Sequence, residues 1–285
     1  MKKVLFATTA LIASAGFAAA EVSVGGSANM GFKYTDGDQI VGTGTASEDV
    51  ALHWEVDFGI SGSGETDTGL TFGASIDLDA TVGSAGLGGA DGEVFVGGAF
   101  GTVTVGNVDV ATDGLGIGDV GFDGLGVDDI AETGKNVGSA DMTYAYSSAG
   151  FGVVISYQSA GLDIGDTGIA ATYDAGTFNV GLGLSNDESL GDQAMTISAG
   201  ADLGDFGVGV TYTDNDASGA AYGISGSFDA GLAVVTAIYA DADAQTDAAY
   251  GLGVAYDLGG GASLGGGFAS VDGQTKMDLG INMSF

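Results

Sequence analysis

Alternation of apolar residues with small or polar residues is the dominant pattern along this chain. In residues 21–34 and again in residues 49–61, nearly every second position is apolar, and the positions between them hold Gly, Ala or polar residues. Successive side chains of a β-strand point to opposite faces of the sheet. This period of two therefore predicts strands with one apolar face and one polar face.

The same alternation recurs to the end of the chain and predicts about sixteen strands. Their predicted bounds are 21–34, 49–61, 70–80, 93–99, 102–106, 141–147, 151–159, 167–173, 178–184, 194–201, 206–213, 221–228, 232–240, 248–256, 262–271 and 277–285. The longest interval without the alternation is residues 107–140, after the fifth strand. This interval predicts a long loop, the third on its side of the sheet.

A repeat of short turns sets the size of the structural unit. An Asp or Ser precedes a Gly by two positions at intervals of 26 to 28 residues, at Gly150, Gly176, Gly204, Gly231 and Gly259. One interval holds two strands of about ten residues, a tight turn and a longer loop, which is the hairpin unit of an outer-membrane barrel. Aromatic residues beside these turns predict an interfacial belt; they are Phe151, Tyr173, Phe178, Phe206, Phe228 and Tyr256.

The polar face indicates which kind of sheet the strands form. It carries mainly Gly, Ser, Thr, Asn and Asp, which is typical of a wide, water-filled lumen. The chain has 56 Gly and no Pro, which suits many paired strands in which every N–H donates. We predict an all-β fold, a transmembrane antiparallel β-barrel of about sixteen strands. A soluble, acidic, Ca²⁺-dependent secreted β-protein is the alternative.

The N-terminal segment predicts export. Lys2 and Lys3 precede an apolar stretch, and Ala18 to Ala20 form a small-residue cleavage pattern before Glu21. Residues 1–20 are therefore predicted to be a signal peptide, and residues 21–285 the barrel domain.

The net charge of the chain excludes nucleic acid as a partner. The chain has 38 acidic residues against 5 basic ones, all of them Lys, and its net charge is −33. Such a chain repels nucleic acid and attracts cations. Cys is absent, so disulfides and thiolate metal sites are excluded. His53 is the only His and no nucleophile stands beside it, so we predict no catalytic residues and no enzyme activity.

Several segments resemble the general bacterial outer-membrane porins, most of all their sixteen-stranded alphaproteobacterial group. The resemblance lies in 21–26, 68–75, 94–101, 255–263 and the terminal Phe285. It implies a diffusion channel for small hydrophilic solutes and ions, a homotrimer in outer-membrane lipid, and a terminal aromatic residue that the barrel-assembly machinery recognises. It also implies that the third loop, residues 107–140, folds into the lumen. A structural or adhesive barrel with an occluded lumen is the second interpretation.

The resemblance also assigns the candidate pore residues. The constriction acids are Asp109, Asp113, Asp119, Asp123, Asp128, Asp129 and Glu132, and the candidate pore-wall residues are Asn29, Lys33, His53, Glu55, Asp57 and Asp77. Relatives carry a basic cluster opposite the loop, whereas this chain offers only Lys33 and His53 there, with Lys135 on the loop itself. We therefore predict a pore that prefers cations. No cofactor is required; calcium is a candidate ligand, with Asp119, Asp123 and Asp128 as its candidate residues.

Overall fold

Sixteen strands account for most of the chain. The structure is a computed structural model that describes residues 21–36, 49–81, 90–159 and 165–285; the predicted signal peptide lies outside these residues. The strands are β1 (Glu21–Thr35), β2 (Asp49–Glu65), β3 (Thr71–Thr81), β4 (Ala90–Gly98), β5 (Gly101–Gly106), β6 (Met142–Ser148), β7 (Phe151–Tyr157), β8 (Thr167–Asp174), β9 (Phe178–Asp187), β10 (Asp192–Asp202), β11 (Phe206–Asn215), β12 (Gly219–Asp229), β13 (Ala233–Ala242), β14 (Ala249–Gly259), β15 (Ala262–Val271) and β16 (Gln274–Ser284).

The strands form a closed antiparallel barrel, which confirms the predicted fold class. Each strand pairs with its neighbours in the sequence, and β1 also pairs with β16. That last ladder runs from Ser27 opposite Ser284 to Thr35 opposite Lys276. A closed sheet leaves no unpaired strand edge. Strands that cross a membrane need this, because lipid cannot form hydrogen bonds with unpaired backbone groups.

Helical structure is minimal in the described residues. One short helix, α1 (Val127–Ala131), lies between β5 and β6. No helix in these residues is both long enough and apolar enough to span a membrane.

The apolar faces of the strands point away from the barrel interior. Phe32, Val50 and Leu52 are 54%, 66% and 67% exposed, and large apolar residues on the other strands are exposed in the same way. Soluble monomers rarely present apolar surface of this extent. The outer surface therefore fits lipid, as a transmembrane barrel requires, and disagrees with the soluble alternative.

The repeated turns share one hydrogen bond. In four of them the Asp side chain accepts the N–H of the Gly two positions later, as Asp174 does from Gly176 at 2.7 Å and Asp257 from Gly259 at 2.8 Å. These glycines have positive φ, 85° at Gly176 and 77° at Gly259, a conformation that other residues rarely adopt. The sequence repeat therefore reflects one turn geometry used again at the same end of the barrel.

Several strands extend beyond the predicted bounds. β2 continues to Glu65 rather than residue 61, with Gly62 opposite Val22 and Glu65 opposite Thr71. The alternation of side chains ends earlier because Ser and Gly replace the apolar residues, but backbone hydrogen bonds do not require apolar side chains. The pattern therefore identified the strands and underestimated the length of most of them, whereas β7 ends at Tyr157, before the predicted residue 159.

The C-terminal residue is part of the barrel closure. The Phe285 N–H donates to Gly26 O at 3.0 Å, and the Gly26 N–H donates to Phe285 O at 2.9 Å. The Phe285 ring is exposed, and its centroid lies 5.6 Å from that of Phe58 on β2. The terminal side chain thus contributes to the outer apolar surface where the last strand meets the first.

We expect Phe285→Ala to lower the yield of folded protein in the outer membrane. The variant loses the ring contact, worth about 1 kcal/mol, and the terminal aromatic group that the resemblance links to assembly. The heat-modifiable band in outer-membrane fractions measures the yield. Phe268→Ala removes an exposed ring from β15 and is the control. Equal yields for the two variants would contradict a special role for the C-terminal residue.

Candidate functional site

The segment between β5 and β6, residues 107–140, packs against the inner wall of the barrel. We call it the inner loop. Both buried apolar clusters of the described residues join this loop to inward-facing positions of the strands. The larger cluster combines Ile117, Val120, Leu125, Val127, Ile130 and Ala131 of the loop with Ala221, Ile238, Ala240, Ala242, Ala249, Ala269 and Val271 of β12 to β15. In the described residues, the buried apolar clusters therefore all lie between the inner loop and the barrel wall.

Glycines on the inner wall make room for the inner loop. A Cβ at Gly223 would lie 2.5 Å from Ala131 Cβ and 2.6 Å from Ile117 Cδ1, and one at Gly265 would lie 2.9 Å from Phe122 Cα. Real Cβ atoms essentially never come this close to another heavy atom. The small inward residues of β9 to β16 therefore form a shallow seat for the loop, whereas the sequence pattern alone suggested a uniformly wet inner face.

Asp119 organises the middle of the inner loop. Its carboxylate accepts the N–H groups of Leu125 and Gly126 at 2.5 Å and of Val127 at 3.2 Å. These donors stand at the start of α1, where backbone N–H groups have no partner within the helix. Asp119 is thus engaged by the backbone of the loop.

Lys135 closes the same loop from its other end. The side chain is buried, and its Nζ donates to Asp113 O at 3.0 Å, to Leu115 O at 2.6 Å and to the Glu132 carboxylate. Glu132 in turn accepts the N–H of Ile117 at 3.1 Å. Lys135 therefore acts as an internal crosslink of the loop and is not available as a cation facing the pore.

The turn at Phe122 fastens the inner loop to β16. The Phe122 N–H donates to Asp278 Oδ2 at 2.9 Å, and Asn282 Nδ2 donates to Phe122 O at 2.8 Å. Lys276 Nζ donates to Leu125 O at 3.3 Å. Sequence reasoning missed these three β16 residues. The sequence does contain a signal for them. Residues 276, 278 and 282 alternate with the apolar outward positions of β16, so they lie on its inward face.

Asp123 joins the inner loop to β1 and β2. Its carboxylate accepts a hydrogen bond from Asn29 Nδ2 at 2.9 Å and pairs with the Lys33 ammonium group. His53 Nε2 lies 2.9 Å from Asp123 Oδ2, at ion-pair distance but not aligned for a hydrogen bond. Asn29 also donates to Glu55 Oε2 at 3.2 Å. Three of the six predicted wall residues thus contact one predicted loop acid, and a fourth, Glu55, is linked to it through Asn29.

Uncompensated acids cover the neighbouring wall. Asp57 stands directly opposite Asp79, and Asp77 directly opposite Asp91, in the ladders that join β2, β3 and β4. Glu93 follows on the same inward face of β4. Like charges in directly opposite positions destabilise a sheet. Asp91 and Glu93 were not predicted as wall residues, although they share the alternation of the fourth strand.

The remaining loop acids differ in their surroundings. Asp109, Asp113 and Asp129 are exposed. Asp128 is half-buried beside Asp119, Asp129 and Glu132; burial, with a further contribution from these charges, raises the pKa of Asp128 to about 7. Burial likewise raises the pKa of Glu132 above its usual value, partly offset by Lys135. The loop's charge therefore changes near neutral pH.

The candidate calcium ligands do not form one group in the described residues. Asp119 is engaged by backbone N–H groups, and Asp123 is held by wall residues of β1 and β2. The one set of three potential ligand residues in the described part of the chain is His53, Glu55 and Asp123, whose ligand atoms all lie within 4.8 Å of one another. Of the three residues predicted for calcium, only Asp123 belongs to it.

Comparison with known proteins gives a family and a fold. The family model described as Gram-negative porin matches residues 7–276. Two solved structures of mutants of the Rhodopseudomonas blastica porin are similar, one at 24% identity with a TM-score of 0.80 and one at 23% with 0.81. Both comparisons cover 93% of this chain and 100% of the other. No curated protein sequence matches. The structural likeness at these identities shows the fold.

We expect Gly223→Ala to destabilise the packed inner loop by about 1–3 kcal/mol, because the new methyl group overpacks the contact with Ile117 and Ala131. Limited proteolysis between residues 107 and 140, together with the unfolding midpoint, measures the effect. Gly226→Ala on the outward face of the same strand meets open space and is the control. Indistinguishable behaviour of the two variants would argue against the loop–wall packing described above.

Proposed function

The chain belongs to the Gram-negative porin family, and we propose that this outer-membrane diffusion channel passes small hydrophilic solutes and ions with a preference for cations. Family and fold together make it a channel protein of the outer membrane and not an enzyme. We infer the preference for cations from the charges of the inner wall. A barrel with an occluded lumen, serving structure or adhesion, is the competing function, and conductance in a planar bilayer separates the two.

The inward acids of β2 to β4 are the observation that carries the proposal. Asp57, Asp77, Asp79, Asp91 and Glu93 share one face without a basic residue among them. Every lysine of the described residues already has a partner elsewhere: Lys33 contacts Asp123, Lys135 contacts Glu132, and Lys276 contacts a loop carbonyl group. The wall therefore presents negative charge to whatever fills the lumen.

The expected size of the preference follows from Coulomb's law. Two unit charges 4 Å apart interact by about 1 kcal/mol in bulk water and about 4 kcal/mol at an effective dielectric constant near 20. About 1.4 kcal/mol corresponds to a factor of ten in relative permeation. Screening limits the range, because the Debye length is about 8 Å near 0.15 M salt and about 3 Å at 1 M.

The proposal includes an assembly. The resemblance implies a homotrimer, inserted in outer-membrane lipid by the barrel-assembly machinery, with no nucleic-acid partner. Exposed apolar residues around the barrel are compatible with both lipid and neighbouring subunits.

We expect Asp57→Asn, Asp77→Asn and Asp79→Asn in one variant to reduce the K⁺ over Cl⁻ preference severalfold in dilute salt and to have little effect near 1 M. Reversal potentials under a KCl gradient measure this. The matched control changes Asp174, Asp202 and Asp257 of the short turns to Asn, which removes the same charge away from the acidic wall. Wild-type anion selectivity, or equal losses in both variants, would contradict the proposal.

We expect the cation preference to rise between about pH 6 and about pH 8, because Asp128, with its pKa raised to about 7, is neutral below this window and ionised above it. The folded state binds the proton more tightly than the unfolded chain, so the free energy of unfolding falls as pH increases from about 4 to about 7. Asp128→Asn should remove the contribution of this residue to both pH dependences. Asp113→Asn, which removes an exposed acid of the same loop, should retain them. A wild-type preference constant over this pH range would refute the assignment.

A further inference from the structure

His53, Glu55 and Asp123 bring one imidazole and two carboxylates together where the inner loop meets the wall. Their ligand atoms lie within 4.8 Å of one another, and all three residues are partly buried. His53 and Glu55 are two positions apart on β2 and so share its inward face, while Asp123 comes from the loop. The cluster therefore has ligands from two separate parts of the fold.

Two buried polar atoms in this cluster have no hydrogen-bond partner. They are His53 Nε2, which faces Asp123 Oδ2 at 2.9 Å, and Asn29 Oδ1. Burying polar atoms without partners costs free energy. A cation bound by His53 Nε2 and Asp123 Oδ2 would give the imidazole nitrogen a partner.

We propose that His53, Glu55 and Asp123 form a binding site for a divalent transition-metal ion, for which Zn²⁺ is the probe. One imidazole nitrogen and two carboxylate oxygens suit Zn²⁺, which takes four ligands and would leave one position for water. Ca²⁺ instead takes six to eight oxygen ligands, and Mg²⁺ keeps several of its waters. The imidazole therefore selects the transition metal. Zn²⁺ binds such nitrogen and oxygen ligands at about 2.0–2.2 Å.

The absence of a side chain at Gly31 makes room for the residues around the site. Gly31 stands directly opposite His53 in the β1–β2 ladder, and a Cβ there would lie 2.8 Å from Phe122 Cζ. Because Gly31 has no side chain, the Phe122 ring packs edge-on against His53, with centroids 5.8 Å apart and an interplanar angle of 68°. The next residue, Asp123, has its Oδ2 2.9 Å from the imidazole Nε2.

Lys33 competes with the metal for Asp123. Its ammonium group pairs with the same Oδ2 that faces His53, so the lysine partly neutralises the Asp123 carboxylate when no metal is bound. The Lys33 side chain is one-third exposed and can turn toward water when an ion arrives. Removing Lys33 should therefore strengthen metal binding, whereas removing a ligand should weaken it.

Metal binding would link the loop to the wall by coordination bonds. The bound ion would also neutralise acidic charge where the loop meets the wall. Binding itself does not depend on ion flow, but the effect on conductance rests on the proposed channel function. The two can therefore be measured separately.

Calorimetric titration of Zn²⁺ into the purified, folded protein in detergent tests the inference. We expect one ion per chain, with affinity reduced about tenfold or more in His53→Gln, because loss of even an outer-shell partner costs about 10–100-fold. Lys33→Gln should bind Zn²⁺ more tightly than the wild type. Asp257→Asn, which removes an acid of a short turn away from the cluster and from the acidic wall, is the control and should match the wild type. The heat-modifiable band verifies that each variant is folded.

The outcomes separate the site from the channel. Equal Zn²⁺ affinity in the wild type and His53→Gln, or displacement of Zn²⁺ by equimolar Ca²⁺, would overturn the inference. Weaker binding by Lys33→Gln would do the same. Zn²⁺ should lower the planar-bilayer conductance of the wild type, reversibly with a chelator, and not that of His53→Gln. A protein that binds Zn²⁺ through His53 but does not conduct would support the metal site and contradict the proposed function. A protein that conducts but binds no Zn²⁺ would support the proposed function and overturn the metal site.

Discussion

Packing of the inner loop against the glycine- and alanine-rich half of the inner wall is the interaction on which the rest of this structure depends. The strands place their large apolar residues outside, so the barrel itself has no dry interior. The loop supplies one, through Val120, Val127 and Ile130 against β12 to β15. With the loop packed there, Asp77 and Asp79 of β3 and Asp91 of β4 stay exposed. The shape and the charge of the lumen therefore have a common origin.

Charges in the lumen divide into those that hold the inner loop in place and those that do not. Asp119, Asp123, Glu132 and Asp278 each accept hydrogen bonds that fix the loop, so their burial is compensated. The pairs Asp57–Asp79 and Asp77–Asp91 are not compensated in this way. Such like-charged pairs reduce the stability of a sheet, which is typical of residues kept for function. The distinction follows from the fold, since all these residues are simply acids in the sequence.

The strands could be predicted from the sequence because a period of two and a repeated Asp-x-Gly turn are local properties. The packing on the inner face of β12 to β15 was harder to predict. Ala and Gly are found both in a water-filled lumen and beneath a packed loop, so the residue types do not distinguish the two. Helix α1 was missed, being too short for a 3.6-residue period to stand out. The meeting of Asp123 with Asn29, Lys33 and His53 could not be deduced at all, since it depends on where a long loop lies after the barrel closes. Residue types indicated a polar pore, and only the three-dimensional arrangement shows which acids are already engaged.

The anchor of Phe122 has a consequence for the order of folding. It is built from Gly31 near the start of the chain and from Asp278, Gly280 and Asn282 near its end, and the hydrogen bond from Phe122 to Asp278 spans 156 residues. Contacts of such sequence separation form late, because the chain between them must first be ordered. The seat for this turn does not exist until the first and last strands have paired. An incompletely synthesised or unclosed barrel therefore cannot hold the loop in its final position, and the loop reaches that position only after the barrel has closed.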